Sequence, residues 1–188
     1  MKKEDLKKLL IGCSKNDRRS QEMLFKSYYG KMLFVCLRYH HDRDTAQELV
    51  QEGFIKVFEK ISTFDFNGSF DAWISRIMAN TSIDLLRKNN KKTFSELNET
   101  IEYQLNEADD KIDELNFELD VNLALEAVQE LSPAYRTVFN LFVVEEYTHK
   151  EIAEKLNISE GTSKSNLAKA KQNLKTIIEK KRATIEKF

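Results

Sequence analysis

The chain has 188 residues, enough for one large domain or two small ones, and a net charge of −1. With five glycines, one proline and 32% charged residues, the composition is typical of long solvated helices and predicts an all-α fold. The longest apolar run, 32–37, excludes a membrane-spanning segment.

The first residues, MKKEDLKKLLIG, are charged and lack the apolar core of a signal peptide. Together with only two cysteines, Cys13 and Cys36, this predicts a cytoplasmic protein with reduced thiols and no membrane contact of its own.

Two amphipathic segments follow, over 17–39 and 42–61, and both have the apolar spacing of buried helices. Gly53, in the middle of the second segment, marks either a close helix crossing or a tolerated weakness. The second segment carries an acidic face made of the following residues: Asp44, Gln47, Glu48, Gln51 and Glu52. From the residues alone, this face is either a docking surface for a basic partner or an ordinary solvated surface.

The next stretch, 64–70, is called the aromatic loop. It contains the turn Asn67-Gly68, and Ser69 is a suitable N-cap for a helix from Phe70 to about Asn89. Polar residues at intervals of four form a second stripe on that helix: Arg76, Asn80, Asp84 and Lys88. Aromatic and basic side chains side by side are typical of single-strand nucleic-acid binding, although a buried core with a basic rim gives the same pattern.

A periodicity break separates the two halves of the chain. Residues 93–120 hold ten acids against one base, whereas residues 159–188 hold eight bases against three acids. Local charge decides which partners approach a surface, so the near-neutral net charge does not exclude nucleic acid. The predicted organisation is a helical domain over 1–92, an acidic linker over 93–119 and a second helical domain over 120–188.

The second domain ends in a helix-turn-helix pattern. Thr148 and Glu151 form a capping box, Asn157 suits a left-handed turn, and Ser159 caps a long basic helix. We expect that helix to enter the DNA major groove. Its expected DNA-facing residues are Ser159, Thr162, Lys164, Ser165, Asn166, Ala168 and Lys169. A helical hairpin with a solvated lysine face is the alternative.

No phosphate loop, nucleophile elbow, paired-carboxylate site or metal-ligand spacing is apparent. The adjacent His40 and His41 do not make an i, i+4 metal pair. The sequence therefore predicts a protein that is not an enzyme and that needs no metal and no cofactor.

Together, three stretches resemble the sigma-70 family of transcription initiation factors, in its short extracytoplasmic-function form. DTAQELVQEGFIKVFEKI resembles the helix with which sigma domain 2 docks on the clamp helices of the RNA polymerase β′ subunit. SFDAWISRIMANTSIDLLRKNNKK resembles the helix that opens and reads the −10 promoter element. The segment from LALEAVQELSPAYR to NLAKAKQNLK resembles sigma domain 4, which reads the −35 element.

This resemblance implies a role for each predicted surface. The acidic face at Asp44, Gln47, Glu48, Gln51 and Glu52 would contact polymerase. The second domain would touch the flap of the β subunit as well as duplex promoter DNA, and an anti-sigma factor would regulate the chain. The aromatic loop would capture a base flipped from the melted non-template strand, and Trp73 would support that pocket. The residues expected to bind −10 DNA are Phe64, Phe66, Ser69, Phe70, Trp73, Arg76, Asn80, Asp84, Arg87 and Lys88.

The sequence also departs from the family pattern. Ser163 stands where the family usually has valine, and Asn166 and Lys169 stand where it usually has arginine. Asn166 either removes a phosphate contact or allows an amide to read adenine. Gly53 replaces an apolar residue. Two other functions remain open from the residues: a stand-alone DNA-binding regulator that uses only the helix-turn-helix, and a helical interaction module without a DNA role.

Overall fold

A computed structural model describes residues 3–89 and 121–185 of the chain. Every regular element in these two ranges is helical, which confirms the all-α fold. By their contacts the residues group into two compact units, Met1–Leu86 and Arg87–Phe188. The expected acidic linker, 93–119, lies outside the described residues, so the domain boundaries stay predictions.

The described residues of the first unit form four helices and a short 3₁₀ turn, and the last helix runs three residues past the boundary at Leu86. They are α1 (Lys3–Ser14), α2 (Arg18–Leu37), α3 (Arg43–Lys60), the 3₁₀ turn (Ile61–Thr63) and α4 (Phe70–Asn89). Helices α2 and α3 begin at aspartate N-caps, because Asp17 accepts a 2.9 Å bond from Ser20 N and Asp42 a 2.8 Å bond from Thr45 N.

Helix α1 is absent from the sequence-based expectations. Its residues Leu9, Leu10 and Cys13 are buried in the core, and Leu6 packs against that core. Cys13 and Cys36 are free, and burial raises the pKa of each thiol to about 11. Both thiols therefore stay protonated and unreactive while the unit is folded.

Gly53 marks a close crossing between α3 and α4, the first of the two interpretations given above. A Cβ at this position would collide with the Met78 side chain, which is itself fully buried. The absent side chain at Gly53 thus leaves room for a methionine from α4, and the usual apolar residue of the family would not fit without movement of Met78.

Within residues 121–185, the second unit forms four α-helices. They are α5 (Val121–Glu130), α6 (Pro133–Phe139), α7 (His149–Leu156) and α8 (Glu160–Ile185). The sequence over 134–147 predicts one continuous helix, but in the structure α6 ends at Phe139. Helix α6 passes into a π-helical turn, Asn140–Val144, where the Glu145 amide donates to the Asn140 carbonyl at 3.0 Å.

Helix α8 is the central helix of this unit, since α5, α6 and α7 all pack against it. It runs to Ile185, and its last turns pack against the unit because Ile178 is buried and Lys181 is held against α5. Lys181 Nζ lies 3.1 Å from Glu126 and 2.7 Å from Glu130, which raises the pKa of the lysine.

The capping box of α7 is present as predicted. Thr148 Oγ1 accepts from the Glu151 amide at 3.3 Å, and the Glu151 carboxylate accepts from the Thr148 amide at 2.8 Å. We expect Thr148→Ala to lower the free energy of unfolding of this unit by about 1 kcal/mol, the usual loss for an N-cap. Chemical denaturation would measure it, with Thr184→Ala, exposed near the end of α8, as the control. Equal stability of both variants would show that the box contributes nothing.

Candidate nucleic-acid and polymerase interface

The acidic face of α3 lies at the surface of the first unit. Asp44, Glu48, Gln51 and Glu52 are exposed and Gln47 is half-buried, while the opposite side of the helix supplies Leu49, Val50 and Val57 to the core. Ile55, 60% exposed, adds an apolar side chain that sequence reasoning did not single out. An apolar group beside exposed carboxylates is a combination suited to docking a protein partner.

A lysine that sequence reasoning missed links this face to α4. Lys56 Nζ lies 2.8 Å from the Glu52 carboxylate, donates to Thr81 Oγ1 at 3.2 Å and lies 4.0 Å from the Asp84 carboxylate. The i, i+4 spacing of Glu52 and Lys56 was the available signal. Through Lys56, Glu52 of the acidic face of α3 is connected to Asp84 of the polar stripe of α4.

Most of the aromatic loop belongs to the core. Phe64 and Phe70 are 8% and 3% exposed, so the expectation that both face a captured base is wrong. Their ring centroids are 5.4 Å apart, and Trp73 lies 5.6 Å from each of them. Large apolar rings are stabilised by leaving water, which explains why these aromatics turn inward. Trp73 is half-buried and packs against the core.

Phe66 is the aromatic residue of the loop that faces solvent. Its side chain is 37% exposed and its backbone is left-handed, with φ of 62°. A bulky residue rarely adopts this conformation. The Phe66 ring contacts the Phe64 ring on one side, with ring centroids 5.2 Å apart and an interplanar angle of 64°. The loop thus exposes the Phe66 ring to solvent, next to the buried rings of Phe64 and Phe70.

The start of α4 fixes the end of this loop. Ser69 Oγ accepts from the Ala72 amide at 3.3 Å, as expected of an N-cap. Asp71, in the first turn, accepts from Tyr28 Oη at 3.3 Å and from Lys31 Nζ at 2.8 Å. Burial and the neighbouring Asp71 raise the pKa of Tyr28 to about 12, so the hydroxyl remains a donor at physiological pH.

The polar stripe of α4 is accessible along its length. Arg76, Asp84, Arg87 and Lys88 are exposed, and Asn80 is half-buried. Asp84 faces Lys56, whereas Lys88 and its neighbour Arg87 add positive charge at the end of α4. The aromatic loop and α4 therefore combine an exposed ring, amide and hydroxyl groups, and basic side chains, the components of single-strand binding.

Helices α7 and α8 form the predicted helix-turn-helix. Ile152, Ala153 and Leu156 are buried on the inner side of α7, and Asn157 is left-handed with φ of 55°. Ser159 Oγ accepts from the Thr162 amide at 2.9 Å and caps α8. Ser159, Lys164 and Ala168 are exposed, and Thr162, Ser165 and Lys169 are half-buried.

Asn166 is not on the outer face. It is only 4% exposed, and its Nδ2 has no hydrogen-bond partner, so the expectation that it reads a base or contacts DNA is wrong. Helix α8 packs its Ser163–Asn166–Leu167–Ala170 side against the unit, and the short amide stays within that contact. Ser163 is fully buried, and its Oγ lies 2.9 Å from His149 Nδ1. His149 stacks on Phe142 with centroids 4.5 Å apart, a role the sequence did not reveal.

The buried Asn166 amide gives a stability prediction. We expect Asn166→Leu to raise the free energy of unfolding by about 1 kcal/mol, because it removes an unsatisfied buried donor and keeps the number and branching of the side-chain heavy atoms. Thermal denaturation would measure the shift. Promoter preference should stay the same. A changed base preference in a promoter selection would show that Asn166 contacts DNA after all.

Among the residues that the structure describes, no helix combines the length and apolar character required to cross a membrane.

Comparison with known proteins accounts for both units. The family model Sigma-70 region 2 matches residues 24–92, and the model Sigma-70, region 4 matches residues 122–174. The chain is 29% identical over 180 residues to the ECF RNA polymerase sigma factor SigW of Bacillus subtilis, with 90% of this chain and 95% of SigW covered. It is 24% identical to the RNA polymerase sigma-H factor of Pseudomonas aeruginosa, with 90% and 91% covered.

Among solved structures, the sigma factor RpoE in complex with the anti-sigma factor NepR from Bartonella quintana matches with a TM-score of 0.49 and 18% identity, over 84% of this chain and 96% of that one. The two region models occur in the family order, and the curated relatives match almost end to end. The chain therefore belongs to the extracytoplasmic-function group of the sigma-70 family, and it is an RNA polymerase sigma factor that directs transcription initiation.

Proposed function

We propose that the two units divide promoter recognition between them. The first unit holds core polymerase through the acidic face of α3 and captures a melted −10 base at Phe66, with Asn80 beside it. The second unit reads the duplex −35 element with α8 and touches the β flap. The observation that carries this division is that each unit exposes one distinct recognition group: the Phe66 ring in the first, and the Lys164 side of α8 in the second.

The −10 proposal is supported by the surroundings of Phe66. Flipping a base out of the duplex costs a few kcal/mol, so stacking and hydrogen bonds in the pocket must offset it. The Phe66 ring contacts the Phe64 ring, which itself packs against Phe70 and Trp73, and this support would help Phe66 to stack a base. Arg76, Arg87 and Lys88 are exposed and would follow the strand's phosphates.

The −35 proposal depends on the exposed side of α8. Lys164 and Ala168 are four residues apart on that side, and Thr162 and Ser165 flank them. The N-terminus of α8, where Ser159 lies, would approach the DNA first, as in other helix-turn-helix proteins. Two modest tethered sites then give avidity that neither has alone.

Free protein should bind promoter DNA poorly. The net charge is −1, and the acidic segment 93–120 repels phosphate. The chain itself would carry no chemistry, because polymerase supplies it. The family resemblance further implies control by an anti-sigma factor, which would cover one or both of these surfaces until it is released.

A promoter selection tests the division. Core polymerase with the chain transcribes a library in which both promoter elements are randomised, and the products are sequenced. We expect Lys164→Ala to relax the upstream element only and Asn80→Ala to relax the downstream element only. If both variants relaxed the same element, the division of labour would be wrong.

A further inference from the structure

A lysine from α1 lies over the exposed ring of the aromatic loop. Lys7 Nζ is 5.6 Å from the centroid of the Phe66 ring, within the range of a cation–π contact. Lys7 is exposed, and it precedes residues 24–92, which the region 2 model matches. The family comparison therefore assigns this lysine no role.

The position of Lys7 follows from the way α1 is held. Leu9, Leu10 and Cys13 are buried immediately after it, and α1 packs against the 3₁₀ turn that leads into the aromatic loop. At the other end of the helix, a Cβ on Gly12 would collide with Ser20 of α2, so the two helices approach closely. Lys7 thus belongs to a fixed scaffold beside Phe66, although its own side chain is free to swing.

The charges around Phe66 show what a lysine contributes there. Asp65, the preceding residue, is exposed, and its carboxylate accepts from the Asn67 backbone amide at 3.0 Å and from Asn67 Nδ2 at 3.2 Å. This carboxylate is committed to the turn and would repel the phosphate of any nucleotide stacked on Phe66. A cation at the same ring offsets that repulsion, and Lys7 supplies one.

We infer that Lys7 binds the backbone phosphate of the nucleotide whose base stacks on Phe66, and this rests on the proposed capture of a base by that residue. In the free protein the ammonium lies over the ring face. When the base arrives, the ammonium leaves the ring for the phosphate, a stronger partner than an aromatic face. Helix α1 is thereby part of the single-strand site.

The test measures how salt affects single-strand binding. Holoenzyme, assembled from core polymerase and the full chain, is titrated with a fluorescent non-template −10 oligonucleotide at several salt concentrations. One lost phosphate contact on a single strand reduces the slope of log affinity against log salt by about 0.7. We expect Lys7→Met to show that reduction and about fivefold weaker binding at low salt, while Lys7→Arg keeps the wild-type slope. Lys8→Met, the exposed neighbour on the same helix, is the matched control and should behave as wild type.

The outcomes separate this inference from the proposed function. Weaker binding by Phe66→Ala with an unchanged slope for Lys7→Met would overturn the role of Lys7 and leave base capture standing. Weaker binding by Lys7→Met without a slope change would also overturn it, because the lysine would then act only by packing on Phe66. Full binding by both variants would remove the base-capture proposal and this inference with it.

Discussion

Phe66→Ala should reduce transcription from a fully duplex promoter by about tenfold or more, and from a promoter already unpaired at the −10 element by much less. Stacking of a base on an aromatic side chain is worth about 1–3 kcal/mol, and 1.4 kcal/mol corresponds to a factor of ten. On the duplex, capture of the base must offset the cost of melting. On the unpaired template that cost has been removed, so the lost stacking matters less.

Single-round transcription on the two templates measures this difference. Phe66→Tyr retains the ring and should behave nearly as wild type on both. Because Phe66 is partly exposed and its backbone is left-handed, its truncation should not unfold the unit. Equal losses on duplex and unpaired templates would mean that Phe66 has no part in promoter opening.

The second large effect concerns the acidic face of α3. Glu48→Lys should weaken the association of the chain with core polymerase by about tenfold or more, because it reverses an exposed charge at the centre of the proposed contact. The variant should fold normally, since Glu48 lies at the surface.

Labelled chain titrated with core polymerase, without DNA, measures this affinity. Glu4→Lys makes the same charge change at an exposed position of α1 and serves as the matched control. If Glu48→Lys bound core polymerase as tightly as Glu4→Lys, α3 would not be the docking helix. A loss that disappeared at high salt would identify the contact as mainly electrostatic.

Local rules explain what could be predicted from the sequence. The threonine cap of α7, the serine cap of α8 and the left-handed Asn157 depend on neighbouring residues only, and the structure has them where the pattern indicated. Helix α1 had a usable signal, since Leu6, Leu9, Leu10 and Cys13 have helical spacing, but lysines dominate the segment.

The features that the sequence did not predict correctly depend on tertiary packing. Phe64, Phe66 and Phe70 are chemically identical, and only the tertiary structure decides that two are buried and one faces solvent. Asn166 was assigned to the outer face from its polarity, yet α8 turns it toward the unit. The contact of Lys7 with Phe66 joins residues far apart in sequence, which no periodicity reveals. The π-helical turn after α6 lies in an apolar run that fits a continuous α-helix equally well.

A run-off assay with purified core polymerase on random DNA fragments, with and without the chain, shows whether the chain selects promoters. We expect discrete transcription start sites that appear only when the chain is present and that share two upstream sequence elements. Start sites that are the same with and without the chain would contradict this expectation, because two recognition surfaces on one sigma factor would then direct polymerase nowhere.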